Sequence, residues 1–279
     1  MIWRIAGRDI DLSRRGMIMG VVNITPDSFS DGGSFFSTSS AVDHGLSLIA
    51  EGADILDIGG ESTRPGAQPV PADEEIRRVI PAIAALRAAS DVLISIDTSK
   101  AEVARAALAA GADIVNDITG LRGDAEMLSV IRDAHAGVVI MHMQGTPLTM
   151  QTAPHYDDVL AEVGDFFRHA LAGALLSGLD PMSIALDPGI GFGKTFAHNR
   201  ELLRGLSSFT EFGRPLVVGI SRKSFLGALV GSKELSERFW PGVAMTSFCR
   251  ERGARVLRVH DVRPHREALR MTEAILGHD

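Results

Sequence analysis

Leu186-Asp-Pro-Gly-Ile-Gly-Phe-Gly-Lys194 is the stretch that decides the fold, because it joins a short apolar run, Ser183 to Leu186, to a glycine-rich loop. Such a run is typical of a buried β-strand, and Asp187 then lies where the strand ends. The loop lacks the glycine frame of a Walker phosphate loop, since Pro188 stands five residues before Gly193, and it lacks the third glycine of a Rossmann fingerprint. The stretch therefore predicts a tight strand-to-helix turn with a carboxylate at the strand tip.

Seven further apolar runs also end on polar residues. Segments with helical spacing lie between the runs, for example Glu74 to Ala89 and Asp157 to Ser177. The alternation of short strands with amphipathic helices is typical of a parallel sheet covered by helices. The seven runs are 17–22, 55–58, 92–96, 114–115, 138–141, 216–220 and 256–259.

Together with the run before Asp187, these runs give eight strand-and-helix units, which fit a closed (β/α)8 TIM barrel of the usual ~250-residue size. An open doubly wound sheet is the second possibility, but it gathers its ligands near one switch point, whereas polar tips here follow all eight strands. The turn at Gly7-Arg8-Asp9 predicts a short N-terminal hairpin, within Met1 to Arg15, that closes the floor of the barrel. We therefore predict an α/β fold with one barrel domain over residues 1–279.

The composition is typical of a soluble enzyme. A formal net charge of -7 argues against general binding to nucleic acid or to a membrane surface. Cys249 is the only cysteine, so no internal disulfide can form, and a reducing, cytoplasmic location is expected. No apolar run approaches the ~18 residues of a membrane span, and the N-terminus lacks the layout of a signal peptide.

Three polar strand tips, Asp97, Asn116 and Asp187, are expected to meet at the C-terminal mouth of the barrel. Two carboxylates and an amide suit a flat heterocycle that presents several N–H donors. A helix cap is the alternative role for Asp97, which precedes Thr98 to Lys100. A metal site is another use of two acids. Because no His-x-x-x-His or Glu-x-x-His spacing occurs, any metal is expected to be a magnesium ion shared with a phosphate.

Side chains that are basic, or that can change their charge near neutral pH, follow the last two strands. Lys223, Arg258 and His260 are expected across the mouth from the acids, and Ser221 to Ser224 opens a helix whose free N–H groups favour an anion. Barrels often bind phosphate at this position. Neutralisation of a neighbouring acid is the alternative for Arg258 and Lys223, and a hydrogen-bonded scaffold role is the alternative for His260.

Two glycine-bounded loops have the features of lids that exclude water from a reactive intermediate. The first, Asn23 to Gly33, exposes Phe29 and two aspartates, Asp27 and Asp31. The second, Gly59 to Gly66, carries Thr63 and Arg64 between glycines. An ordinary surface loop remains the alternative for either one alone.

Eight motifs occur in order along nearly the whole chain: Asn23-Ile-Thr-Pro-Asp-Ser-Phe-Ser-Asp-Gly-Gly33, Gly60-Glu-Ser-Thr-Arg-Pro-Gly66, Ser95-Ile-Asp-Thr98, Val115-Asn-Asp-Ile118, Met141-His-Met-Gln-Gly145, Leu186 to Lys194, Ser221-Arg-Lys-Ser224 and Arg258-Val-His-Asp-Val262. Each motif is modest alone, but eight in order are highly specific. Together they resemble the dihydropteroate synthase family of the folate pathway.

The resemblance implies a transferase that condenses 6-hydroxymethyl-7,8-dihydropterin diphosphate with 4-aminobenzoate, with Mg2+, to give 7,8-dihydropteroate and diphosphate. It also implies a dissociative mechanism, competition by sulfonamides and a homodimer. Phe29 lies where small changes of shape would alter discrimination against sulfonamides.

The resemblance also assigns roles to single residues. The pterin ring would be held by Asp97, Asn116, Asp187 and Lys223. The diphosphate and its metal would be held by Asn23, Arg258 and His260, with Asp31 arriving on the first loop. The aminobenzoate side would be formed by Thr63, Arg64, Pro65, Phe192 and Ser224.

One segment departs from the family pattern. Arg238-Phe-Trp-Pro-Gly-Val243 stands where the family usually has a shorter stretch with Ser or Thr after the glycine. We expect it at the start of the helix before the eighth strand, away from the chemistry. Three other functions stay open: a pterin-binding methyltransferase, a Schiff-base aldolase that uses Lys223, and a ligand-binding paralogue without turnover.

Overall fold

The computed structural model describes residues 1–25, 34–232 and 234–278, with only the backbone described for residues 34–37. Eight parallel strands close into a barrel in which each strand pairs with the next and the last pairs with the first. An antiparallel hairpin, β1 (Ile2–Ile5) and β2 (Arg8–Asp11), precedes them. The barrel strands are β3 (Met17–Asn23), β4 (Ile55–Gly59), β5 (Leu93–Asp97), β6 (Ile114–Asp117), β7 (Gly137–Met141), β8 (Ile184–Asp187), β9 (Leu216–Gly219) and β10 (Ala254–Val259).

Helices connect the strands on the outside of the barrel. Buried side chains of helix and strand, such as Leu56, Val79 and Leu86, form the larger of the apolar cores between the two layers. The helices are α1 (Ser34–Ala50), α2 (Ala72–Ala89), α3 (Ala101–Ala109), α4 (Met127–Asp133), α5 (Val159–Leu176), α6 (Phe196–Arg204), α7 (Ser224–Val230), α8 (Phe239–Glu251) and α9 (Val262–Ile275).

An apolar layer fills the lower half of the barrel, and every barrel strand contributes one side chain to it. The strand residues are Met19, Ile55, Leu93, Ile114, Val139, Ala185, Val217 and Val256. Trp3, Ile5 and Leu12 pack against this layer from below, and Trp3 Nε1 donates a hydrogen bond of 2.9 Å to the carbonyl oxygen of Ser183. The hairpin therefore closes the floor, and the C-terminal mouth is left as the open end.

The predicted closed barrel and N-terminal hairpin are confirmed, and the strand bounds agree within two residues. The sequence analysis predicted a helix after each strand but named no segment for two of them, α4 and α6. Both helices are short, with seven and nine residues. A capping box does mark the start of α6, because Thr195 Oγ1 accepts from the His198 amide while His198 Nδ1 accepts from the Thr195 amide.

In the described ranges, every helix is too short or too polar to cross a lipid bilayer. The segment Arg238 to Val243 lies where it was expected, at the start of α8.

Candidate active site

Polar side chains replace apolar ones in the barrel above the apolar layer. Asp97 ends β5 and Asp187 ends β8, whereas Asn116 lies within β6 and Arg258 within β10. The strand register places Asp97 beside Asn116. All four side chains line one cavity at the mouth, together with Lys223 from the β9–α7 turn. The structure thus brings together the residues that the sequence predicted there.

Arg258 is the central charge of this cavity. Its Nε donates to Asp57 Oδ2 at 2.6 Å, and its Nη2 donates to Asp97 Oδ2 at 2.8 Å. Burial lowers the pKa of Arg258, but the two carboxylates outweigh this effect and the pKa is raised. The guanidinium is therefore a permanent cation held between two acids.

Asp57 is a site residue that the sequence analysis missed. It was counted within the apolar run 55–58, although a lone acid in the middle of a barrel strand is itself a signal. Its side chain is completely buried. Besides Arg258, the Nδ2 of Asn116 donates to Asp57 Oδ2 at 3.2 Å. Asp57 thus fixes both the base and the amide of the cavity.

Two carboxylate oxygens of this cluster have no protein partner. Asp57 Oδ1 and Asp97 Oδ1 are both buried and accept no hydrogen bond within the described part of the chain. Unpaired buried acceptors are costly, so such atoms indicate a ligand or an ordered water. The cluster is therefore suited to a bound group that donates N–H hydrogen bonds.

Asp187 is oriented by the glycine loop that follows it. Its Oδ1 accepts from the Gly189 amide at 2.7 Å. Gly189 has a φ of +66°, and a Cβ there would lie 1.9 Å from the carbonyl oxygen of His142, so only glycine fits. Burial raises the pKa of Asp187, although the bond from Gly189 opposes this effect. Asp187 is therefore easier to protonate than an exposed aspartate.

Lys223 faces the acids from the turn before α7. Burial and the positive charge of Arg258 lower its pKa to about 8. Its Nζ lies 4.3 Å from the centre of the Phe192 ring, in cation–π geometry. The preceding residue, Arg222, has a φ of +60° and donates to both carboxylate oxygens of Asp261. This ion pair holds the unusual backbone that directs Lys223 inward.

His260 lies just after β10, and its Nδ1 is 3.2 Å from Ser221 Oγ. Burial and the nearby cations, first Arg258, lower the pKa of His260 to about 3. The imidazole is therefore neutral at physiological pH in the ligand-free site. A polyanion bound beside these cations would favour its protonation.

Lys194 is a second residue that sequence analysis did not assign to the site. Its Nζ lies 3.0 Å from His142 Nδ1 and 2.9 Å from the carbonyl oxygen of Phe192. Burial lowers the pKa of Lys194 to about 7, and burial with the Lys194 charge lowers that of His142 to about 2. These bonds tie the loop carrying Phe192 to the end of β7. The signal was a lysine that closes an otherwise apolar, glycine-rich motif.

The second predicted lid lies at the mouth as expected. Thr63 is half-buried, whereas Arg64 and Pro65 are exposed. The loop touches the β7–α5 connection, since the Gly66 amide donates to the carbonyl oxygen of Pro147 at 3.0 Å. Ser224 is the first residue of α7. On the first loop, Asp27, Phe29 and Asp31 lie outside the described residues.

Asn23 ends β3 on the same side of the mouth. A Cβ on Gly59 would stand 3.6 Å from Asp97 Cβ, 3.8 Å from Asn23 Oδ1 and 3.9 Å from Asp97 Oδ2, so side-chain oxygens of Asn23 and Asp97 both lie close to Gly59. Oxygen ligands are those that Mg2+ prefers, and this ion is usually bound by one or two protein groups together with phosphate and water. The described residues hold no cluster of three or more His, Cys, Asp or Glu side chains able to bind a metal alone.

Comparison with known proteins shows to which family the chain belongs. Residues 19–260 match the model of a pterin binding enzyme family. A dihydropteroate synthase of Escherichia coli (strain K12) is 46% identical over 271 residues, which span 97% of this chain and 95% of that protein. The chain belongs to the dihydropteroate synthase family. The full-length match argues for this family over the methyltransferase and aldolase alternatives.

Solved structures of dihydropteroate synthases share the fold. The enzyme of Xanthomonas albilineans with 4-aminobenzoic acid superposes with a TM-score of 0.92 at 46% identity, covering 99% of this chain and 98% of that one. The same organism's enzyme in complex with 7,8-dihydropteroate gives a TM-score of 0.88 at 43% identity, covering 99% of both chains.

Asp57→Asn tests the charge balance of the cavity. Removing one carboxylate from a buried ion pair leaves Arg258 undercompensated, and we expect the free energy of unfolding to fall by about 2 to 4 kcal/mol. Urea unfolding followed by circular dichroism measures this change. Asp9→Asn, which breaks an exposed ion pair with Arg4, is the control and should leave stability close to wild type. An unchanged midpoint for Asp57→Asn would show that Asp97 alone balances Arg258.

Proposed function

We propose that this chain is a dihydropteroate synthase that joins 6-hydroxymethyl-7,8-dihydropterin diphosphate to 4-aminobenzoate, releasing diphosphate. The observation that carries the proposal is the ion-pair cluster of Asp57, Asp97 and Arg258 at the barrel mouth, in which one buried oxygen of each carboxylate has no hydrogen-bond partner among the described residues. The family and the relatives bound to 4-aminobenzoic acid and 7,8-dihydropteroate support the choice of substrates.

The pterin ring is proposed to lie in the cavity lined by Asp97, Asn116, Asp187 and Lys223. The ring's amino and ring N–H groups would donate to the two aspartates, and its carbonyl would accept from Lys223. Phe192 covers Lys223 from the loop side and would exclude water from that contact. Each charge-assisted hydrogen bond of this kind contributes roughly 1.5 to 3 kcal/mol.

The diphosphate is proposed to lie beside Arg258 and His260, near Asn23. Mg2+ would be held by the Asn23 side-chain oxygen together with diphosphate oxygens, with Asp31 as the further ligand. Asn23 Oδ1 lies close to Gly59, on the side of the mouth that also carries Asp97, and can supply a protein oxygen to such an ion. When bound, magnesium would supply charge neutralisation for the leaving diphosphate.

The aminobenzoate side is proposed to consist of Thr63, Arg64, Pro65, Phe192 and Ser224, with Phe29 on the first loop. Thr63, Arg64 and Pro65 come from the loop after β4, Phe192 comes from the loop after β8, and Ser224 begins α7, so none of these five residues belongs to a strand. Arg64 is exposed, and its charge contributes to the lowered pKa of His260, which supports a position for Arg64 near the rim of the same mouth. A carboxylate entering from solvent would meet this positive rim.

We propose a dissociative mechanism for the condensation. The C–O bond to diphosphate would break first, with Arg258 and His260 neutralising the charge of the leaving group together with magnesium. Asp97 and Asp187 would stabilise the positive charge that develops on the pterin. The arylamine is already a nucleophile, so positioning by the loops would replace a strong base at that step. Asp97, Asp187, Lys223 and Arg258 are the proposed catalytic residues.

Diphosphate release by the purified chain tests this function. With pterin diphosphate and magnesium, release is expected to depend on 4-aminobenzoate and to equal the dihydropteroate formed, because the amine captures the pterin cation. A coupled phosphate assay and chromatography of the product measure both quantities. Omission of magnesium is expected to suppress the reaction. Binding of the pterin without any diphosphate release would instead favour a methyltransferase or a paralogue without turnover.

Pterin affinity is expected to depend on pH through Asp97. Burial raises the pKa of Asp97 to about 7, with Arg258 opposing and Asp57 aiding the shift. Only the ionised carboxylate accepts two N–H bonds, so affinity should weaken as the pH falls below 7, by at most about tenfold per pH unit for one proton. Calorimetric titration with the pterin substrate measures this. The Asp97→Asn variant should show a weaker pH dependence of pterin affinity. The dependence that remains would come from Asp187. A constant affinity across this range would contradict the assignment.

We also propose a homodimer and a cytoplasmic location. Apolar side chains are exposed on adjoining segments at the end of α7, the turn Ser236–Arg238 and the start of α8, which pack together. They are Leu229, Val230, Leu235 and Trp240, of which Trp240 is 71% exposed. A surface of this kind favours a second copy of the chain. The cytoplasmic location rests on the free thiol of Cys249.

Trp240→Glu tests the dimer surface. A charge at the centre of an apolar contact should shift the chain from dimer to monomer, which sedimentation equilibrium measures. Leu176→Glu is the control, because Leu176 is also an exposed apolar side chain, at 90%, but lies at the end of α5. A wild-type chain that sediments as a monomer would contradict the proposal.

A further inference from the structure

A partly buried ion-pair cluster lies under the loop between β4 and α2. Lys100 Nζ is 2.6 Å from Glu61 Oε2 and 2.5 Å from Glu75 Oε2. Glu61 belongs to the loop, Glu75 to the first turn of α2, and Lys100 caps the start of α3. We call these three residues the Lys100 cluster. It joins three separate chain segments through a single ammonium group.

The cluster closes the base of the loop. Glu61 Oε2 also accepts from the amide of Val70 at 2.8 Å, so one carboxylate oxygen binds both ends of a ten-residue segment. A neighbouring bond supports the same closure, since Arg78 Nη1 donates to the carbonyl oxygen of Gly60 at 2.8 Å. Thr63, Arg64 and Pro65 therefore lie in a loop whose two ends are fixed by Glu61.

The burial of Glu75 shows that the cluster is a strong constraint. Its side chain has no solvent exposure, and its Oε1 has no hydrogen-bond partner within the described residues. Burial lowers the pKa of Lys100, but the hydrogen bonds that Lys100 donates to Glu61 and Glu75 outweigh this effect, so the pKa is raised. Lys100 is therefore protonated throughout the physiological range. Glu75 is a buried carboxylate whose charge is balanced by Lys100, so the loss of Lys100 alone would be costly to stability.

The position of the cluster relates it mainly to the proposed aminobenzoate side. Glu61 lies two residues before Thr63. None of the three cluster residues lines the cavity proposed for the pterin. The charge of Glu75 does raise the pKa of Asp97, but removing Lys100 and Glu75 together takes away one charge of each sign. A change in the cluster would therefore move the loop while leaving the strand-borne pterin contacts in place.

We infer that Glu61, Lys100 and Glu75 are positioning residues that set the shape of the β4–α2 loop and thereby the affinity for the arylamine substrate. The inference rests on the proposed function, in which this loop forms the aminobenzoate side. The three residues touch no substrate. They act through Thr63, Arg64 and Pro65.

The test is the double variant Lys100→Met with Glu75→Gln, which removes the cation without leaving a buried carboxylate unpaired. We expect the KM for 4-aminobenzoate to rise about tenfold, equivalent to the loss of one charged hydrogen bond, while the KM for pterin diphosphate and kcat change by less than about threefold. Glu61→Gln keeps an acceptor for the Val70 amide and should give a smaller rise. Parallel changes in both KM values, or no change in either, would overturn the inference.

A matched control lies on the outer face of α3. Arg105 pairs with Glu126 at 2.8 Å between two exposed side chains, so Arg105→Met with Glu126→Gln makes the same chemical change away from the loop. It should leave both KM values unchanged.

Hydrogen exchange provides a second measurement that does not depend on turnover. The amide of Val70 should exchange faster in the Lys100 and Glu75 variant than in wild type, and at the wild-type rate in the control. If the wild-type chain forms no dihydropteroate, the proposed function fails, but this exchange result still tests the loop constraint. Equal exchange at Val70 in wild type and variant would overturn the inference.

Discussion

The guanidinium of Arg258, whose side chain is only 20% exposed, is the charge on which the rest of the site depends. An isolated cation in the interior of a barrel would be very costly, so the neighbouring strands must supply carboxylates at the correct height. Asp57 and Asp97 do so from β4 and β5, and Asn116 completes the contacts of Asp57 from β6. Because two carboxylates pair with one guanidinium, Asp57 Oδ1 and Asp97 Oδ1 are left without a hydrogen-bond donor among the described residues. The arrangement of charges that stabilises the ligand-free barrel therefore also favours a ligand with N–H donors.

Basic side chains also fix the loops above the barrel. Lys194 binds the glycine loop to His142, Arg222 holds the turn before α7 through Asp261, and Lys100 closes the loop after β4. In each case a cation joins a flexible connection to a neighbouring strand end or helix start. The loops are therefore less independent of the barrel than their glycine content suggests.

Most of the fold was predictable from the sequence because the eight apolar runs and their polar ends follow directly from burial. The predicted site residues at strand ends, such as Asp97 and Asp187, were accessible by the same logic. Asp57 was not, because it lies in the middle of a strand and its role depends on Arg258, 201 residues away along the chain. Lys194 was missed for a similar reason, since its partner His142 lies on another connection. Pairings between distant segments leave no local pattern in the sequence.

The division between strands and loops has a mechanistic consequence. On the proposed mechanism, the pterin cation must form among charges that do not move, because preorganised groups stabilise it without reorganising at the moment of reaction. Those groups lie on or next to the barrel strands. The arylamine arrives from the side built by loops, where small changes of shape alter its contacts without disturbing Asp97 or Arg258. The architecture thus allows recognition of the second substrate to vary while the electrostatics of the first step stay constant.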